Sequence, residues 1–222
     1  MPSSQPWSNS STTADTLVFS RITLTLASSI VFSATRTCNG ALPSGARGPL
    51  LTRKYQSNGG PGIVKLLDLL KGSDTPGEDQ AMLLKAQIFF WLIGATDGHA
   101  KNFSIFLAPG GRYHLTPLYD VLTAQPSLDT GQIQRKQMEL AMSVGTNNHY
   151  RIAEVQGRHF VQTGEAAGVP KKLVQESIEA VAATAEAALV KIENELPMGF
   201  PEAIHTSVQT AAMQRLRSLK FQ

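Results

Sequence analysis

The sequence predicts a mainly α-helical domain with one small β-hairpin. Three observations carry this reading. Residues 79–95 form an apolar stretch of helical length. Residues 103–119 read as two strands about a Pro-Gly-Gly turn. Residues 158–219 hold three helical stretches separated by glycine and proline.

Taken in order, Asn58-Gly-Gly-Pro-Gly62 is a loop, because three glycines and a proline cannot continue a helix or a central strand. It lacks the Lys-Ser/Thr of a P-loop and the spacing of a kinase glycine-rich loop, so it reads as a connector entering a helix rather than a phosphate cradle. Ile63, Leu66, Leu67 and Leu70 fall at i, i+3, i+4 and i+7, one apolar stripe on a short helix that ends near Gly72. Asp79 is a candidate cap for the next helix. Leu83, Leu84, Ile88, Phe89, Trp91, Leu92 and Ile93 make that helix apolar on nearly every side, so it belongs in a core. The hairpin pairs 103–107 with 113–119 through Ala108-Pro-Gly-Gly111. A short helix covers 158–168, and Pro170 opens a long one to about Leu196 with Leu173, Ile178, Val181, Leu189 and Ile192 on one side. A last helix runs from about Glu202 to Leu219. Its basic end, Arg215, Arg217 and Lys220, reads as a complement to its own helix dipole.

Composition sets the outer bounds. The chain has 222 residues, 42% of them hydrophobic, enough for one domain with a sizeable core. A net charge of +3 permits contact with phosphate but does not argue for it. Cys38 is alone, which rules out an internal disulfide and a cysteine-based zinc site and suits a cytoplasmic protein. No apolar run reaches the roughly 18–20 residues of a spanning helix, so no membrane partner is expected.

Residues 1–50 are different material. They hold seventeen Ser or Thr, one acidic residue, Asp15, and only Arg21, Arg36 and Arg47 as cations. A secretory signal would need a positive start, which is missing. A Ser-rich transit peptide is a second reading. The favoured expectation is a poorly ordered leader that is not native to the domain, because composition changes abruptly near Leu51.

The chemistry concentrates in Gly94-Ala-Thr-Asp97-Gly-His99-Ala-Lys101-Asn102, at the end of the buried helix and before the hairpin. Asp97 and Asn102 have the five-residue spacing of the Asp and Asn in a kinase catalytic loop. Phosphoryl transfer wants a carboxylate near the attacking hydroxyl and an amide oxygen on the metal. Asp120, at the far end of the hairpin, can return to the same mouth and hold a divalent cation. Spacing alone leaves alternatives: a turn aspartate, a loop-capping Asn102, a satisfied surface His99, or a metal-hydrolase pair in Asp97 and His99, although no second histidine sits at ligand spacing.

The run Phe90-Trp-Leu-Ile-Gly-Ala-Thr-Asp97-Gly-His-Ala-Lys-Asn102-Phe-Ser resembles the HipA family of serine/threonine kinases. So do Gly110-Gly-Arg-Tyr-His-Leu-Thr-Pro-Leu-Tyr119-Asp120, Lys54-Tyr55, Gly59-Gly-Pro-Gly62, Arg158-His-Phe160 and Leu196-Pro197 with Phe200-Pro201. The resemblance spans about residues 52–218. It implies a kinase-like C-terminal lobe over 51–222. Asp97 is then the catalytic acceptor of the hydroxyl proton. His99, Ala100, Lys101 and Asn102 line the nucleotide phosphates, Tyr119 lies on the adenine side, and Asn102 and Asp120 are the magnesium ligands. ATP and Mg2+ are the implied cofactors. The implied partners are a HipB-like helix-turn-helix antitoxin, which would bring DNA only indirectly, and a protein substrate such as an aminoacyl-tRNA synthetase.

The chain departs from that family in two places. No counterpart of the N-terminal lobe, with its glycine-rich loop, nucleotide lysine and adenine hinge, is found before Leu51. The expectation is a C-terminal-lobe fragment, weakly active or inactive alone; the alternative is a catalytically dead interaction module for an antitoxin or partner kinase. The helix after Arg158-His-Phe160 reads Val161-Gln-Thr-Gly-Glu-Ala-Ala-Gly168 and lacks the Lys and Arg with which the family contacts DNA.

Overall fold

Thr75 and Gly94 bracket the helix around which the protein is built. The computed structural model describes residues 54–220, the side chain of Lys220 excepted; the Ser/Thr-rich segment 1–50 lies outside them. Six α-helices and two separate antiparallel hairpins follow in the order α1 (Ile63–Leu70), α2 (Pro76–Ile93), β1 (Ile105–Ala108), β2 (Arg112–Leu115), α3 (Gln125–Asp129), β3 (Glu139–Val144), β4 (His149–Arg151), α4 (Gly157–Ala166), α5 (Lys171–Glu195) and α6 (Glu202–Lys220). Among the described residues no helix is long and apolar enough to cross a membrane.

Helix α2 begins with Pro76 in its first turn, where a missing N–H costs nothing. Asp79 is therefore not its cap: the helix starts three residues earlier, and Asp79 sits buried in the first turn. From Leu83 to Ile93 almost every side chain is buried, against α5 and α6 on one side and against α1 on the other. One core gathers Phe89, Trp91 and Leu92 with Phe160, Val181, Leu189 and Leu216. The second gathers Leu83 and Leu84 with Ile63, Leu67, Leu115 and Val174. A helix enclosed this completely must also dispose of its polar atoms. Gln80 Nε2 donates to Leu67 O, Gln87 Nε2 to Met142 O, and Trp91 Nε1 to Ile152 O.

The Gln87 bond reaches a second hairpin, β3–β4, which the sequence reading did not include, and the Trp91 bond reaches the residue just after it. Its strand β3 is buried on both faces from Leu140 to Val144, so it lacks the alternation that marks a strand. The first hairpin is shorter than expected. It pairs Ile105 with Leu115 and Ala108 with Arg112, and residues 116–119 continue as extended chain outside the ladder.

The C-terminal end of α2 is closed by its own Gly94 turn, by residues 123–124 and by α6. Gly94 turns the chain with φ 72°, and Ala95 N–H returns to Phe90 O. Thr123 Oγ1 donates to Ile93 O, and Ala124 N–H to Gly94 O at 2.9 Å. Arg215 Nη1 donates to Leu92 O at 2.8 Å while Nη2 takes Gln125 Oε1. Arg215 thus serves the end of α2 rather than the dipole of its own helix α6, and burial pushes its guanidinium pKa down to about 10. Arg215→Met is expected to lower stability by about 2 kcal/mol, because it leaves two acceptors without their charged donor; urea unfolding followed by circular dichroism measures this.

Candidate active site

The turn that follows α2 carries Asp97 and the residues around it. Gly98 is required there by packing: a Cβ on it would lie 2.3 Å from Cδ2 of Phe90. The chain then closes a 3-10 turn over Ala100–Asn102. His99 N–H donates to Asn102 Oδ1 at 3.1 Å, and Asn102 N–H returns to His99 O at 2.9 Å. Phe103 leaves the turn packed against Phe90, with ring centroids 5.9 Å apart.

Asn102 joins this turn to the far end of the first hairpin. It is 1% exposed, and its Nδ2 donates to Asp120 Oδ2 at 2.9 Å and to Asp120 O at 3.3 Å. Asp120 holds a left-handed backbone, φ 55°. For a residue other than glycine this conformation costs on the order of 1 kcal/mol or more and persists only where neighbours enforce it. Here the double bond from Asn102 enforces it, and the carboxylate stays exposed. Next to it, the Tyr119 hydroxyl donates to Lys101 O at 3.0 Å and lies 2.6 Å from Ser104 Oγ. Tyr119 therefore ties the segment after the hairpin to the 3-10 turn, with part of its ring exposed.

Asp97 is half exposed and doubly held. Tyr55 Oη donates to its Oδ1 at 2.5 Å, and Lys54 Nζ lies 3.1 Å from each of its oxygens. Partial burial works against the ionised carboxylate, but the Tyr55 and Lys54 hydrogen bonds outweigh it and hold the pKa below the usual range. His99 is 4% exposed, so it is a buried residue rather than a surface one. Neither of its ring nitrogens has a hydrogen-bond partner among the described residues, and Nε2 lies 3.6 Å from Asp97 Oδ1. Burial lowers the His99 pKa, while the Asp97 and Asp120 charges both pull it upward. The Asp97 carboxylate thus lies beside the imidazole, and the charge of Asp120 also acts on it.

The predicted residues sort accordingly. Asp97, His99, Asn102, Tyr119 and Asp120 come together. Lys101 is exposed to solvent, whereas Ala100 is buried as a whole residue, methyl and backbone alike. No group of three or more His, Cys, Asp or Glu among the described residues could hold a metal ion by itself. The metal-hydrolase alternative therefore lacks a ligand set. Magnesium asks for less: one or two protein oxygens, with water and phosphate completing its shell. The Asp120 carboxylate and the second lone pair of Asn102 Oδ1 fit that chemistry. Lys54 and Tyr55, which carried a family resemblance but no role in the sequence, prove to be neighbours of Asp97; a separation of more than forty residues leaves no local pattern that could have shown it.

The HipA-like C-terminal domain family matches residues 41–189, two thirds of the sequence. The chain belongs to that family. A relative from Sinorhizobium fredii (strain NBRC 101917 / NGR234), named "Putative kinase Y4mE", is 34% identical over 145 residues, 64% of this chain and 32% of that protein. Among solved structures, HipA of Shewanella oneidensis MR-1, determined with HipB and operator DNA, superposes with a TM-score of 0.72 at 17% identity over 92% of this chain and 56% of that one. The likeness confirms the kinase-like, mainly helical HipA fold with small antiparallel sheets. The chain spans about a third of the length of Y4mE and a little over half of the Shewanella HipA chain.

Two consequences of this HipA-type site are measurable. Gly98→Ala should destabilise the fold by about 1–3 kcal/mol through overpacking against Phe90, read as a lower thermal midpoint together with displaced amide signals at Asp97 and His99. The second concerns pH. His99 and His159 are both 4% exposed with pKa values lowered by burial from the ordinary 6.5; the His149 and Arg158 charges add to the effect at His159. The folded state therefore favours neutral rings, while the unfolded chain takes up protons near pH 6.5. Their stabilising contribution is full above that value and is lost as pH falls through it. Urea midpoints should drop between pH 7.5 and 5, and His159→Asn, which keeps an acceptor for the Gln156 N–H, should flatten the drop.

Proposed function

We propose that this chain is the catalytic lobe of a HipA-type serine/threonine-protein kinase toxin. One observation carries the reading: the half-exposed Asp97 carboxylate lies 3.6 Å from the His99 ring, and the turn that His99 opens carries Asn102, bonded to Asp120 at 2.9 Å. In the reaction a protein hydroxyl attacks the γ-phosphorus of ATP. The bond to the β-phosphate oxygen breaks, ADP leaves, and the hydroxyl proton passes to Asp97. Asp120 and Asn102 would hold Mg2+, which supplies charge neutralisation on the phosphates. The exposed ammonium of Lys101 would meet phosphate oxygens, and the Tyr119 bond to Lys101 O would steady the turn that carries it.

The Shewanella HipA structure contains HipB and operator DNA. By that likeness a HipB-like antitoxin is the proposed partner of this chain. DNA would be reached through that partner, since residues 161–168 carry no Lys or Arg.

The test is a nitrogen-15 NMR titration of the purified chain, which detects even weak ligands. ATP with Mg2+ should shift the amides of residues 99–102 and 120. ATP with a chelator should leave them in place, and Asp120→Asn should weaken the magnesium-dependent response by about tenfold or more. Signals that stay put with Mg2+ and ATP, or a response indifferent to Asp120→Asn, would overturn the reading.

A further inference from the structure

Residues 54–58 form a strap that lies against Asp97 and His99 and is anchored away from them. Gln56, inside the 3-10 turn Gln56–Asn58, is bonded twice to one residue of strand β3: Ser143 N–H donates to Gln56 Oε1 at 2.9 Å, and Gln56 Nε2 donates to Ser143 Oγ at 2.9 Å. Ser143 Oγ in turn donates to Asn148 Oδ1 at 3.0 Å, across the β3–β4 hairpin. Gly62 closes over the Gln56 carboxamide so tightly that a Cβ would lie 2.4 Å from Oε1. Gly60 N–H bonds back to Tyr55 O at 2.9 Å, which closes the strap on itself. The strap is thus fastened to the hairpin that Gln87 of α2 bonds at Met142 O.

From that base the two residues preceding Gln56 both reach Asp97. Tyr55 gives Oδ1 its hydroxyl, and its ring stands edge-on to His99 with centroids 5.5 Å apart. Lys54 lies 3.1 Å from both carboxylate oxygens and 5.1 Å from the centre of the Tyr55 ring. A displaceable plug would hang from a loose segment. This one is bonded at its middle residue to the protein's second hairpin, which marks it as a fixed part of the site.

We propose that Lys54 and Tyr55 are positioning residues for Asp97: the strap carries them to the carboxylate, where their hydrogen bonds fix its direction. The proposal rests on the reading of Asp97 as the acceptor of the hydroxyl proton. Two donors on one carboxylate leave further lone pairs facing the open mouth, so an incoming hydroxyl meets an oxygen whose orientation is already set.

The experiment is a carbon-13 titration of side-chain carboxyls in the 222-residue chain, with Asp97 assigned by Asp97→Asn. Tyr55→Phe and Lys54→Met should each raise the Asp97 midpoint, by roughly half to one pH unit for a half-exposed group. Lys54→Arg, which keeps the cation, should hold it near the wild-type value. Tyr113→Phe removes a hydroxyl that bonds only Leu69 O and should leave Asp97 where it was. Thermal melts of each variant establish that the fold is intact; Lys54, 42% exposed, can be replaced without loss of core. An Asp97 midpoint that does not move in folded Lys54→Met and Tyr55→Phe overturns the proposal. The readout needs no nucleotide. A moving midpoint alongside a failed magnesium–ATP titration would leave the clamp standing and remove the kinase reading instead.

Discussion

The enclosure of α2 is the constraint on which the rest of the molecule depends. Its last ten residues are almost all buried, each large side chain contributing about 1.5–3 kcal/mol relative to exposure. A helix with no exposed face can neither rotate nor slide without opening a cavity somewhere in the surrounding bundle. Its C-terminal end is therefore a fixed point, and the protein builds its polar residues outward from that point. The carbonyls of Leu92, Ile93 and Gly94 are taken by Arg215, Thr123 and Ala124. These come from α6 and from the segment just after the hairpin. The same three bonds that complete the helix therefore set where Asp120 begins and how far it stands from Asp97.

From that fixed end the site spreads by short bonds rather than by further packing. Asn102 is the pivot. Its backbone and Oδ1 close the turn with His99, and its Nδ2 holds Asp120 in a left-handed conformation. One buried amide thereby coordinates two chain segments eighteen residues apart. The Asp97 carboxylate lies beside one buried imidazole and is paired with Lys54, so its charge is balanced rather than bare.

Much of this was legible in the sequence because local pattern and global fold agree there. The all-round apolarity of residues 83–93 announced a core helix, and Pro-Gly-Gly announced the first hairpin. Proline and glycine punctuation placed α4, α5 and α6 within a residue or two. What escaped was set by tertiary context. Strand β3 reads Glu-Leu-Ala-Met-Ser-Val, a run buried on both faces, and such a run has no period to detect. Arg215 looked like a cation at the end of its own helix, and only the packing of α6 on α2 turns it into a cap for another. In the site, the spacing of Asp97 and Asn102 suggested a kinase loop among other readings, and the family resemblance chose between them. The burial of His99 and the approach of Tyr55 and Lys54 had no local signal, since nothing within a few residues of Asp97 encodes them.

The clamp on Asp97 raises a question about base strength that the chemistry itself answers. A carboxylate held below its usual pKa is a weaker proton acceptor, and general-base catalysis by Brønsted behaviour rewards a pKa near the working pH. A site designed around proton abstraction would bury such a group away from cations. Phosphoryl transfer makes a different demand. Its transition state is loose, with little bond formation to the attacking oxygen, so the hydroxyl need not be deprotonated early and the barrier responds more to alignment and charge neutralisation than to base strength. If Asp97 has the role proposed above, its useful property under that demand is a fixed direction. Two donors that cost it basicity while holding it in place are then a favourable exchange, and the depressed pKa is the by-product of orientation rather than its purpose.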